Sequence, residues 1–154
     1  MTEIVDTLAR LGLALPKPAA PIAAYVPAVE AGGLLHVSGQ LPFRNGDLMT
    51  GRLGEDVDVE FGYEAARNCG LMLVAQIERA LGSLDRLDRI VKLGVFVNSD
   101  PRFTDQAKVA NGVSELMETL FGEKGKHARS AVGVPCLPLG AAVEVDAIVA
   151  VKPA

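Results

Sequence analysis

The chain has 154 residues, 49% of them hydrophobic and 22% charged, enough for one ordinary domain to bury a core without disulfides and too apolar for a disordered polymer. A formal net charge of −4, no visible Lys/Arg cluster, no tryptophan, two tyrosines and five phenylalanines argue against a nucleic-acid surface, which needs phosphate-neutralising cations and stacking aromatics. No apolar run approaches the ~18 residues of a membrane span, and the acidic, amphipathic start MTEIVDTLARLG lacks the basic and apolar blocks of a secretory signal, so the expectation is a cytoplasmic protein.

Ile4, Leu8 and Leu11 fall at helical spacing and Gly12 supplies a stop, which predicts a short helix over residues 2–11. The stretch PKPAAP, Pro16 to Pro21, breaks regularity and reads as a connector. YVPAVEA and LLHVSGQ, separated by Gly32-Gly33, carry a hairpin signal, and Asn45-Gly46 in FRNGDLMTG predicts a second tight turn. From Asp58 the period lengthens: Ala66, Cys69, Leu73, Ile77 and Ala80 line one face of a helix that should end near Gly82. RIVKLGVFVNS then reads as a strand. Asp100-Pro101 reads as the cap and first residue of a second long helix, striped by Ala110, Val113, Met117 and Leu120 and stopped by Gly122. ARSAVGV and AAVEVDAIVAV close the chain as strands joined by the proline-rich turn PCLPLG. The expected fold class is α+β, with two long helices packed on one face of a mixed sheet. Residues 1–20 are expected to form an N-terminal helical extension and linker, and residues 21–154 the domain.

The chemistry-bearing residues are few. Neither Cys69 nor Cys136 stands in a metal-ligand or CxxC spacing, and both are expected to be small buried hydrophobes. His36 lies inside a predicted strand and reads as a histidine with one satisfied nitrogen. His127 precedes Arg129 by two, so on a strand both would point to the same face. No GxSxG, no glycine-rich phosphate loop and no HExxH occurs, so neither metal nor cofactor is expected. The informative run is KHARSAVGVPCLPLGAAVEVDAIVAV. Arg129 opens an apolar strand, and its guanidinium can make two parallel bonds to a carboxylate. Glu144 sits between Val143 and Val145, a solvent-facing position on an alternating strand, with Asp146 on the same face. By pattern, Arg129 and Glu144 form a cross-strand ion pair about as readily as a ligand site.

Three quoted segments, SGQLP, KLGVFVN and ARSAVGV…LPLGAAVEVDAI, in this order from about Tyr25 to Val151, resemble the RidA/YjgF reactive-intermediate deaminase family, whose members also carry the name L-PSP endoribonuclease. The resemblance implies a chorismate-mutase-like fold, a homotrimer with clefts between neighbouring subunits, and hydrolysis of 2-imino or enamine acids to 2-keto acids and ammonia without a cofactor. It implies that Arg129 holds the substrate carboxylate and Glu144 positions or activates water, with Tyr25 the cleft tyrosine. Ser38 and Gly39 match the segment near the pocket, and Ala131 replaces a cysteine whose main chain serves the cleft. Ser114 stands where an asparagine is common, with Asn111 one turn earlier as the alternative, and Pro27 replaces a glutamine near Tyr25. The alternative function is non-catalytic binding or sensing of a small carboxylate in the same cleft. The acidic balance argues against an endoribonuclease.

Overall fold

The computed structural model describes residues 2–154. A short helix α1, Thr2–Arg10, is followed two residues later by Gly12, whose φ of 68° is the left-handed stop foreseen there. Leu8 is buried, Ile4 packs against the core, and Leu11 lies beyond the helix and is exposed. After the irregular connector come β1 (Ala28–Ala31) and β2 (Leu34–Gln40), an antiparallel hairpin turned by Gly32 and Gly33. The two-residue strands β3 (Phe43–Arg44) and β4 (Asp47–Leu48) flank Asn45-Gly46, where φ values of 52° and 84° make the tight turn that this dipeptide favours.

The long helix α2, Val59–Leu81, begins where the Asp58 side chain accepts the Phe61 N–H at 2.9 Å and ends at Gly82, which is left-handed. Its buried surface is broader than the expected stripe. Ala66, Cys69, Leu73 and Ile77 are buried as expected, but so are Leu71, Met72, Val74 and Ala75, while Ala80 is exposed and Leu81 buried in its stead. Strand β5 runs Leu87–Asn98, helix α3 Gln106–Phe121, β6 Ala128–Val134 and β7 Val143–Val151. Helix α3 starts later than foreseen. The Asp100 carboxylate accepts the Arg102 N–H, and its carbonyl the Phe103 N–H, so Asp100-Pro101 closes a turn rather than capping the helix. Ala110, Val113, Met117 and Leu120 do form its buried stripe.

The five-stranded sheet has the order β1-β2-β7-β5-β6, antiparallel except for the parallel β5–β6 pair that α3 connects. Strand β7 alternates strictly: Val143, Val145, Ala147 and Val149 are buried beneath the helices, while Glu144, Asp146 and Ile148 face the other way. The architecture is thus α+β, a mixed sheet with α2 and α3 against one face and the other face uncovered. The two helices approach closely enough that a Cβ at Gly112 would collide with the Tyr63 carbonyl. Among the described residues, no helix is long and apolar enough to cross a membrane, and no three His, Cys, Asp or Glu side chains gather to hold a metal. Cys69 is buried, but Cys136 is exposed in the turn before β7, contrary to expectation. A loop of prolines and single turns leaves it no second layer to sit under.

Candidate functional site

Arg129 lies on edge strand β6 opposite Leu93, which is fully buried, so its side chain points to the helix-covered face. There α3 receives it. Nη1 donates to Asn111 Oδ1 at 2.9 Å and to Ser114 Oγ at 3.1 Å, and Nη2 donates to the Ala107 carbonyl at 3.4 Å. Both candidates for the helix position, Asn111 and Ser114, therefore act on the same nitrogen. The Ser114 hydroxyl in turn donates to His127 Nε2 at 2.8 Å. His127 Nδ1 stands 2.6 Å from the Gly125 carbonyl, which can only accept, so the ring proton belongs on Nδ1 and Nε2 is free to accept. A guanidinium held wholly by neutral acceptors keeps its charge uncompensated: among the described residues Arg129 has no ion pair. Such a group can take an anion on its remaining N–H donors. Ala131, two residues on, faces the same way and packs against the core.

Glu144 belongs to a different place. A cleft of about 500 Å³ opens at the end of the sheet, lined by Tyr25, Ser38, Gly39 and Glu144 together with the connector Ala19–Ala23 and the turn holding Pro138 and Leu139. Its geometry follows from an irregularity in β2. Between Val37, opposite Ala147, and Gln40, opposite Val145, β2 holds one residue more than β7, a bulge at Ser38 and Gly39. The Ser38 hydroxyl donates to the Val26 carbonyl at 2.9 Å, which ties the Tyr25 segment to the strand. Gly39 leaves the room that Glu144 fills: a Cβ built there would stand 2.5 Å from Glu144 Oε1. The Glu144 carboxylate has no hydrogen-bond partner or ion pair among the described residues. Burial, and secondarily the nearby Asp146, push its pKa above the ordinary glutamate value. Asp146 is also raised by burial, an effect opposed by the Gly94 N–H that it accepts. An unpartnered carboxyl with a raised pKa can take a proton from water and pass it on.

The two groups do not meet within one chain. β5 separates β6 from β7, so Arg129 and Glu144 are not cross-strand neighbours, and the ion pair that the pattern allowed does not exist. Arg129 is level with Ala147 across Leu93, and Glu144 lies three residues further along β7. Two strand spacings and three residues put their Cα atoms about 14 Å apart, and their side chains leave opposite faces of the sheet. Tyr25, Ser38, Gly39 and Glu144 come together; Arg129, Asn111, Ser114 and Ala131 come together; the two sets stay apart.

Two features escaped sequence reasoning, and the two histidines it singled out take definite places. His127 joins the arginine cluster through Ser114, which its place two residues before Arg129 hinted at. Gln40 and Gln76 form an amide chain behind the cleft: Gln76 Nε2 donates to Gln40 Oε1 at 3.2 Å and to the Ala19 carbonyl at 2.8 Å, and Gln40 Nε2 donates to the Ser38 carbonyl at 2.9 Å. The connector over residues 19–23 is thereby pinned across the cleft; PKPAAP carried no periodic signal to show it. Leu139, held at φ 59°, borders the mouth. His36, read as half-satisfied, is exposed on the uncovered face, and its ring makes no hydrogen bond among the described residues.

Comparison with known proteins gives the following. The family profile described as "YjgF/chorismate_mutase-like, putative endoribonuclease" matches residues 6–150. Protein TCP17 of Trypanosoma cruzi is 56% identical over 149 residues, covering 96% of this chain and 93% of its own. A 2-iminobutanoate/2-iminopropanoate deaminase of Dermatophagoides farinae is 27% identical over 86% of this chain and 89% of its own. Among solved structures, a protein of unknown function from Agrobacterium tumefaciens superposes with a TM-score of 0.92 at 45% identity, over 98% of this chain and 94% of that one. RidA from an Antarctic Psychrobacter superposes with a TM-score of 0.59 at 29% identity, over 88% and 94% respectively.

Proposed function

Since the chain belongs to the YjgF/chorismate-mutase-like family, we propose that it hydrolyses reactive 2-imino or enamine acids to 2-keto acids and ammonia. The relative named 2-iminobutanoate/2-iminopropanoate deaminase supports the reading. The observation that carries it is the pair of complementary, unpartnered charges: Arg129 held only by neutral acceptors, and Glu144 alone in a cleft with a raised pKa. Because one chain holds them about 14 Å apart by strand spacing, on opposite faces, the working site is assembled between copies. Arg129 of one subunit faces the Glu144 cleft of the next, in a homotrimer. The uncovered sheet face, with Phe96, Ile148 and the exposed Val132, is available for that contact.

The chemistry requires little. Arg129 fixes the carboxylate and so aims the imine carbon, which is already electrophilic. Glu144 draws a proton from water as its oxygen bonds to that carbon, then returns the proton to nitrogen. The carboxylate then carries the hydroxyl proton of the resulting carbinolamine to the same nitrogen, the C–N bond breaks, ammonia leaves, and the carbonyl forms. Tyr25 and Ser38 border the same space. The test is to supply 2-aminoacrylate from a serine dehydratase and time keto-acid release. Wild type is expected to exceed buffer and Arg129→Ala to match it; wild type equal to buffer sinks the proposal.

A second reading has one observation behind it. The backbone follows the Agrobacterium protein closely and RidA only loosely, with TM-scores of 0.92 and 0.59. A cleft that binds a carboxylate without turning it over fits such a departure. Calorimetry showing keto-acid binding, with no acceleration of imine hydrolysis, would select it.

A further inference from the structure

The geometry points to a ligand with a bulky apolar side chain, branched or aromatic, that fills the cleft between the 19–23 connector and the turn at Pro138–Leu139. This deepens the reading above and rests on it, since it places the carboxylate at Arg129 and the imine near Glu144. The first ground is size. The cleft measures about 500 Å³, whereas the alanine-derived imino acid, with six heavy atoms, displaces on the order of six waters or roughly 180 Å³. Half of the cleft given up to the neighbouring subunit that brings Arg129 would still leave more room than the smallest substrate fills.

The second ground is the lining. Ala19, Ala20, Pro21, Ile22, Ala23 and Pro27 form one wall, and Leu41, Phe43, Pro138 and Leu139 most of the other. Besides Tyr25, the polar residues that line it are Ser38, Gln40 and Glu144 at the bulge in β2 and Gln76, whose amide nitrogen donates to the Ala19 carbonyl and to Gln40, so a ligand with its reacting carbon at Glu144 presents its side chain mostly to carbon. The third ground is that the chain holds these apolar groups in place against their own preference. Ile22 is 65% exposed and Leu139 67% exposed. Leu139 takes a left-handed φ of 59°, strain of the kind kept where a ligand needs a side chain aimed. The connector is pinned by the Gln76 amide, which donates to the Ala19 carbonyl.

Gln76 also suggests the opposite choice, a ligand bearing a donor, because its Oε1 has no partner. Gln76 borders the cleft, but that oxygen is sealed from solvent and the residue is only 2% exposed, so the free acceptor is closed off from the space a ligand enters.

The experiment uses the full chain and imino acids made in place by an L-amino-acid oxidase from alanine, leucine, phenylalanine and asparagine. The corresponding 2-keto acids are titrated by calorimetry in parallel. The leucine- and phenylalanine-derived imines should show kcat/KM at least ~100-fold above the alanine-derived one, at the usual discrimination per added apolar carbon. The asparagine-derived imine, nearly isosteric with leucine's, should show no such advantage. Leu139→Gly and Ile22→Ser should each cut the leucine/alanine ratio about tenfold while leaving thermal stability intact, as both residues are exposed. Equal rates for alanine and leucine, or a preference for asparagine, overturn the inference and leave the deaminase reading standing. If no imine is accelerated, that reading fails instead. Calorimetry then decides: 4-methyl-2-oxopentanoate bound ~100-fold more tightly than pyruvate supports the apolar cleft, and equal or absent binding overturns it.

Discussion

Gly39→Ala separates stability from activity at a single atom. The Gly39 backbone is not in the left-handed region, so alanine suffers no conformational strain there. The new Cβ would stand 2.5 Å from Glu144 Oε1, 2.9 Å from Cδ and 3.1 Å from Cγ. An ordinary carbon–oxygen contact is about 3.3 Å, so the carboxylate must retreat by roughly 0.8 Å. It is the far end of a flexible side chain facing an open cleft, and a rotation about its own bonds suffices. The folding cost is therefore small, and the restricted unfolded chain returns about 0.4–1 kcal/mol. Catalysis tolerates the shift poorly, because an ångström of misplacement at a proton-transferring group can cost about 10²-fold. The expected result is a Tm within a few degrees of wild type and kcat for imine hydrolysis down ~10–100-fold, with KM little changed. Thermal melts and steady-state keto-acid release measure the two sides. Unchanged kcat would refute the placement of Glu144, and a Tm collapse would refute the claim that the side chain can yield.

Other residues make different demands. Arg129→Ala should lower kcat/KM about 10²–10³-fold, the worth of a charge-assisted bidentate contact, and Arg129→Lys should recover only part because a point charge lacks the fork; full recovery with lysine would contradict the bidentate role. His127→Ala frees the Ser114 hydroxyl from its acceptor and loosens the arginine, so KM should rise about fivefold with kcat nearly constant, the loss of one neutral hydrogen bond. Glu144→Gln has a pH signature. Burial and Asp146 raise the folded pKa above the ordinary 4.5, so ionisation costs the folded state stability as pH climbs from 4.5 through the raised value. The glutamine variant should thus melt higher than wild type at pH 7 and equally below pH 4.5, while losing deamination; a lower Tm at pH 7 would contradict the burial argument.

Local chemistry wrote much of the fold plainly. Asp58 and Gly82 bracket α2 because a cap and a left-handed glycine act within one turn, and Asn45-Gly46 announced its hairpin for the same reason. Asp100-Pro101 misled because a short acidic side chain can bond the N–H two residues on as readily as it caps a helix. The breadth of α2's buried surface was hidden. A stripe records one partner, and this helix meets the sheet on one side, α3 on another and, through Gln76, the connector. Strand order was hidden too. The last two strands follow one another in the chain, yet β5 lies between them in the sheet, and no local signal encodes that non-local pairing.

The candidate site divides along the same line. An arginine heading an apolar strand and a glutamate between valines were legible as residue types, but which face each served depended on register and strand order. The resemblance supplied Tyr25, Ser38 and Gly39, and the structure gathers them around Glu144. Gln40, Gln76 and the connector were out of reach because their bonds run 36 and 57 residues along the chain.

The account's central claim is that Arg129 and Glu144 serve one site from two subunits. Co-expressing Arg129→Ala with Glu144→Ala tests it directly, since each variant alone should be inactive. Random assembly leaves both groups intact at about one interface in four, so the mixture should regain about a quarter of wild-type imine hydrolysis. No recovery beyond the separate variants, in an assembly shown to contain both chains, would contradict a shared site.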